Sequence, residues 1–116
     1  MPSSTPLDVA EAKADLFRAL ASPARIRILE VLATGEHAVG EIQPLVDLEA
    51  SHLSQQLGIL RRAGLVVGRK EGASVHYSIR DRDLVDLMAS ARRLLIASLA
   101  GSQELLAGLL IAEPEA

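Results

Sequence analysis

Apolar residues recur at helical spacing along most of the chain, and the interruptions divide it into elements. Val9, Ala12, Leu16 and Leu20 fall along one side of a first helix, with Asp8 placed to cap it. Ala21-Ser22-Pro23 is a break and restart, with Ser22 as N-cap and proline at the first helical position, where its missing N–H costs nothing. A second helix to about Ala33 carries Ile26, Leu29 and Leu32 inward, and Gly35 closes it. A short third helix near Gly40–Val46 turns Val39, Ile42 and Leu45 inward. Pro44 requires that helix to start late, with the proline in its first turn. Leu53, Leu57 and Leu60 then mark the buried side of a fourth helix, over about residues 49–63.

Two strands follow, Leu65–Lys70 and Ser74–Arg80, around a Glu71-Gly72 tip. Val75, Tyr77 and Ile79 alternate with Ser74, His76, Ser78 and Arg80, the period of a half-buried hairpin. A long helix from Asp83 to about Ala100 carries Leu84, Leu87, Met88, Ala91, Leu94, Leu95 and Ser98. Gly101-Ser102 is a candidate break before Leu105, Leu106, Leu109 and Leu110 continue the stripe. Residues 1–7 and 112–116 read as flexible tails, leaving 8–111 as one working domain. The Glu113-Pro114-Glu115-Ala116 end also matches a short purification-tag peptide and is set aside. The expected fold class is mainly α with a small β-hairpin.

The exposed side of the fourth helix changes the picture from architecture to chemistry. Ala50, Ser51, Ser54 and Gln55 are short or amide side chains that let a helix approach base edges closely, and an amide can bond an adenine edge in a bidentate way. His52 shares this region, Arg61 and Arg62 end it, and Arg69, Lys70 and His76 decorate the hairpin. A reading helix followed by a charged hairpin is what a binder of double-stranded DNA needs.

Composition permits this reading. The 116 residues are 49% hydrophobic with one Phe and one Tyr, so the core is aliphatic and suits packed helices. The net charge of −3 argues against nucleic acid until its distribution is considered. Arg61, Arg62, Arg69, Lys70, Arg80 and Arg82 stand against only Glu71 and Asp81 between residues 50 and 82, so a positive stretch rides on an acidic body. There is no cysteine, which excludes disulfides, thiolate metal sites and thiol switching. No apolar run reaches membrane-spanning length and no export signal is visible, so a cytoplasmic protein is expected.

Three stretches together resemble the ArsR/SmtB family of winged helix-turn-helix repressors. Phe17-x-x-Leu20-x-x-Pro23-x-Arg25-x-x-Ile28-Leu29-x-x-Leu32 looks like the family's leading helices. Ser51-x-Leu53-Ser54-x-x-Leu57-x-x-Leu60-Arg61-x-Ala63-Gly64-Leu65-Val66 looks like its recognition helix and exit, and Gly72-x-x-x-x-Tyr77-x-Ile79 like its wing. With the flanking helices they cover roughly residues 9 to 100. The resemblance implies base reading by Ala50, Ser51, Ser54 and Gln55, and phosphate or minor-groove contacts near Arg69, Lys70 and His76. It also implies a homodimer on an inverted-repeat operator. The first and last long helices would form the two-fold interface, through Val9, Ala12, Leu16, Leu87, Ala91, Leu94, Leu95 and Ser98.

The chain departs from the family at both of its familiar metal sites. Ala38 and Gly40 stand where a Cys-x-Cys pair would be, and the last long helix offers Asp83 and Asp86 without histidine, beside Arg92 and Arg93. No metal and no cofactor are therefore expected. The alternatives are a nickel- or zinc-responsive member using His37 with Glu36 or Glu41, and a winged-helix protein-interaction module that has lost DNA readout. Ser51, His52 and Ser54 form no catalytic constellation, because adjacent helical residues do not face each other, and an enzyme is not expected. The inducer stays open among a small molecule, a partner protein, a weakly bound metal or none.

Overall fold

A computed structural model describes residues 6–99 and 103–111. The tails beyond residues 6 and 111 and the Gly101-Ser102 break lie outside these residues. Up to Asp81 the order is α1 (Val9–Leu20), α2 (Pro23–Ala33), β1 (His37–Ala38), α3 (Val39–Val46), α4 (Ala50–Arg62), β2 (Val66–Glu71) and β3 (Ser74–Ile79). The caps are those the sequence predicts. The Asp8 carboxylate accepts from the Ala10 and Glu11 N–H groups, and the Ser22 hydroxyl accepts from Arg25 N–H with Pro23 at N1. Gly35 follows α2 at a φ of 141°, a region that glycine tolerates best.

The core of this part is Ile28, Leu29, Leu32, Ile42, Val46, Leu53, Leu57, Leu60, Val66 and Ile79, all buried. Two stripes differ from expectation. On α2, Ile28 takes the inner position and Ile26 is 39% exposed, while on α3 Val46 is buried and Leu45 is 62% exposed. Both helices are short and apolar on several sides, so neighbours rather than periodicity decide which isoleucine or leucine turns inward. Pro44 also lies inside α3 and beyond its first turn. The acceptor that loses its helical donor is the carbonyl of Gly40, four residues earlier, and Gly40 is exposed to solvent.

The sheet has three strands, in the order β1-β3-β2 and antiparallel throughout. β2 and β3 pair from Val66↔Ile79 to Glu71↔Ser74, and Gly72, at φ 61°, opens the two-residue turn. The added strand is β1, where His37 pairs with Tyr77 and Ala38 with His76. His37 is thus in a strand, and β3 is the central strand. That explains why Val75 to Ser78 are all half-buried instead of alternating cleanly.

From Arg82 onward the chain forms α5 (Asp83–Ser98) and α6 (Gln103–Ile111). Arg92 donates to the Leu109 carbonyl at 3.1 Å, tying these two helices together. Leu84 is buried, whereas Leu94 and Leu95 are 69% and 49% exposed.

Candidate nucleic-acid interface

α4 separates its two faces sharply. Leu53, Gln56, Leu57 and Leu60 are buried, and Ala50, Ser51, His52, Ser54, Gln55, Arg61 and Arg62 are exposed. Ser51, Ser54 and Gln55 are related by three- and four-residue steps, so they share one solvent face at the helix's N-terminal half. The helix ends in a Schellman motif: Leu65 N–H donates to the Leu60 carbonyl and Gly64 N–H to the Arg61 carbonyl, each at 3.0 Å, with Gly64 at φ 76°. That turn, followed by the Arg80 N–H bond to the Leu65 carbonyl at 3.1 Å, joins α4 to the sheet within a few residues. Arg62 folds back along α4, its guanidinium lying where a side chain at Gly58 would begin.

Gln56 is the residue whose role the sequence concealed. It occupies the fourth corner of the stripe formed by Leu53, Leu57 and Leu60, and is 8% exposed. Its amide oxygen accepts from Arg25 at 3.0 Å. Arg25 also donates through Nε to the Ala19 carbonyl at 2.7 Å and through its other terminal nitrogen to the Arg18 carbonyl at 3.2 Å. A polar side chain within an apolar stripe was the legible signal, since a buried amide requires a partner.

The wing is arranged differently from what its cations suggest. Lys70 is exposed. Arg69 instead bridges two carboxylates, 2.6 Å from Glu36 and 2.8 Å from Glu71. The Arg69 hydrogen bond holds the Glu36 carboxyl below the usual carboxylate range, and Glu36 in turn raises Arg69 above its ordinary value. His76 lies between the same acids, 4.0 Å from Glu36 and 3.8 Å from Glu71, with its side chain 24% exposed. Of the predicted wing contacts, Lys70 thus faces solvent alone, while Arg69 and His76 join an acidic cluster. No local pattern could reveal Glu36, which lies 33 positions before Arg69 and arrives only through the pairing of β1 with β3.

The groups considered for a metal have other bonds. His37 donates from Nδ1 to the Gly35 carbonyl at 2.7 Å, and Glu41 accepts from the Ala38 N–H at 2.7 Å. Among the described residues no three His, Asp or Glu side chains converge in a group that could hold an ion.

Away from α4, α1 has no buried residue, and Val9 and Phe17 are 57% and 54% exposed. Ala12 and Leu16 are half-buried, as is Leu87 on α5, while Ala91 and Ser98 are exposed. Phe17, a member of the leading-helix motif, is the largest apolar side chain that α1 leaves uncovered.

The model of bacterial regulatory proteins of the arsR family matches residues 22–67, which run from the cap of α2 into the first wing strand. Over 84 residues, 72% of this chain and 74% of the relative, the sequence is 52% identical to the HTH-type transcriptional regulator Rv0081 of Mycobacterium tuberculosis. The crystal structure of Rv0081 aligns with a TM-score of 0.76 at 46% identity, covering 83% of this chain and 97% of that one. The biofilm growth-associated repressor of Agrobacterium fabrum is 37% identical over 91 residues, 69% of this chain and 78% of its own. A homodimeric winged helix-turn-helix DNA-binding domain from Mycobacterium bovis, Mb0332, aligns with a TM-score of 0.74 at 28% identity, covering 87% of this chain and 97% of that one. By this family match and these likenesses in sequence and fold, the chain belongs to the ArsR family of winged helix-turn-helix transcriptional regulators.

Proposed function

We propose that this regulator is a homodimeric repressor that binds an inverted-repeat operator, with residues 8–111 as its DNA-binding and dimerisation domain. The observation that carries the proposal is the solvent face of α4, where Ala50, Ser51, Ser54 and Gln55 stand opposite a fully packed inner face. Ser51, Ser54 and Gln55 read base edges in the major groove, His52 flanks them, and Arg61 and Arg62 contact backbone phosphate. Lys70 supplies the wing's principal phosphate contact, and Arg69 and His76 contribute once they exchange Glu36 and Glu71 for phosphate. Val9, Ala12 and Leu16 of α1, and Leu87, Ala91, Leu94, Leu95 and Ser98 of α5, contact a second copy of the chain. The exposed apolar residues of each helix favour this, because such side chains gain by leaving water. A dimer places its reading helices in successive major grooves, with half-site centres about 34–36 Å apart.

Fluorescence anisotropy tests the proposal, with the duplex from upstream of the protein's own gene and a duplex selected from a random pool. Salt-sensitive binding of two protomers per palindrome is expected, with a selected half-site that recurs in inverted orientation. Failure to bind or select any duplex would leave a protein-interaction module as the reading. A large change in affinity on adding nickel or zinc would make the regulator metal-responsive.

A further inference from the structure

We infer that Arg25 is a positioning residue for base readout, acting on the reading helix through Gln56. This deepens the proposed function and rests on its reading of DNA by α4.

The geometry is specific. Arg25 sits in the first turn of α2, and its guanidinium meets three places at once: the Ala19 carbonyl at 2.7 Å, the Arg18 carbonyl at 3.2 Å and the Gln56 amide oxygen at 3.0 Å. The two carbonyls belong to the C-terminal turn of α1, where partial negative charge collects; the Arg18 carbonyl also accepts from the Ala21 N–H at 3.2 Å, so Arg25 is its second donor. A guanidinium is planar and its donors diverge in fixed directions. Satisfying two carbonyls of α1 therefore fixes where the third donor points, and that donor holds Gln56.

Gln56 is next in sequence to Gln55, and successive helical residues project about 100° apart. Holding Gln56 inward thus sets the rotation of α4 that presents Ser51, Ser54 and Gln55 outward. Leucines alone grip a helix without direction, since apolar packing tolerates small rotations better than a hydrogen bond does. The Arg25–Gln56 bond supplies the direction, and it links α1, α2 and α4 through one side chain.

The test uses the full chain, the duplex selected from a random pool and a shuffled duplex, with affinities measured across a salt series. Arg25→Met and Gln56→Met are each expected to lower the selected-over-shuffled affinity ratio roughly ten-fold, comparable to one mismatched base pair. The salt dependence stays as in the parent. The double variant is expected to lose no more than Arg25→Met alone, because that substitution already removes the bond that Gln56→Met removes. Gln56→Glu keeps an acceptor for Arg25 and is expected to retain the parental ratio. Circular dichroism and the folded fraction accompany each variant, so that a loss of fold is not read as a loss of discrimination.

Several results would overturn the inference. Losses that add in the double variant would break the coupling, as would a Gln56→Glu variant as impaired as Gln56→Met. A reduced thermal stability with an unchanged ratio would make Arg25 only a structural residue. Equal weakening on both duplexes, with a salt slope lower by about 1, would make it a direct phosphate contact. If the parent itself shows no preference for the selected duplex, the proposed function fails and this inference with it. If the parent discriminates and the variants discriminate equally, only this inference fails.

Discussion

The solvent face of α4 and the wing are both polar surfaces of the same winged fold, yet they reach that polarity by different routes. On α4 the exposed serines and Gln55 follow directly from which side of the helix the leucines occupy, and those side chains remain available to a ligand. On the wing, Arg69 is claimed by Glu36, the residue before β1, and by Glu71 from the hairpin tip, and His76 sits between the same acids. A helix face is a local property with a period of 3.6 residues, whereas the availability of a surface cation depends on every acid that tertiary pairing brings near it. Counting cations along the chain therefore misses that Arg69 is already paired with two carboxylates.

The contrast can be broken most strongly at the inner face of α4. Leu57→Ala, at a site 1% exposed, is expected to lower stability by about 2–5 kcal/mol in urea unfolding. Ser54→Ala, on the outer face, should change stability by less than about 0.5 kcal/mol. Comparable losses would mean that the faces are not divided as described. The next effect belongs to readout: Gln55→Ala is expected to cost about 1–3 kcal/mol of discrimination at one base position without changing stability, as checked by binding to single-base variants of the selected duplex.

Smaller effects sharpen the view of the wing. A Cβ on Gly68 would lie 3.2 Å from Tyr77 Cε1 and 3.3 Å from Val75 Cγ1, both atoms of side chains held in the sheet. Gly68→Ala is thus expected to destabilise by up to about 1 kcal/mol, the strain partly offset by the lower chain entropy of the unfolded alanine variant. For DNA affinity, Lys70→Ala should reduce the salt slope by about 1. Arg69→Ala should reduce it less, and Glu36→Gln should steepen it by releasing Arg69 from a carboxylate. Equal slopes for Lys70→Ala and Arg69→Ala would show that the acids do not withhold Arg69 from phosphate.

The smallest expected effect follows pH. The Glu36 carboxyl is held below its ordinary value of 4.5, chiefly by the Arg69 hydrogen bond, so it binds protons less readily when folded than when unfolded. Its contribution to stability is present above that ordinary value and is lost as pH falls through the lower folded one. NMR titration of the Glu36 carboxyl should find a midpoint below 4.5 that returns toward the ordinary value in Arg69→Ala. An unchanged midpoint in that variant would remove the assigned cause.

The order of helices and hairpin, the caps at Asp8 and Ser22, and the two faces of α4 are legible in the residues alone, because each rests on interactions within a few residues. The sequence also carries the family resemblance, since the spacing of leucines, glycines and polar residues survives in the chain as written. Tertiary structure alone decided that Ile28 and Val46, rather than Ile26 and Leu45, turn inward, because short helices with several apolar sides are oriented by their neighbours. It alone made His37-Ala38 a strand, as two residues show no period until β3 pairs with them. It also drew Glu36 onto Arg69 across 33 positions and Arg25 onto Gln56 across 31, contacts whose partners are chosen by the packing of distant elements.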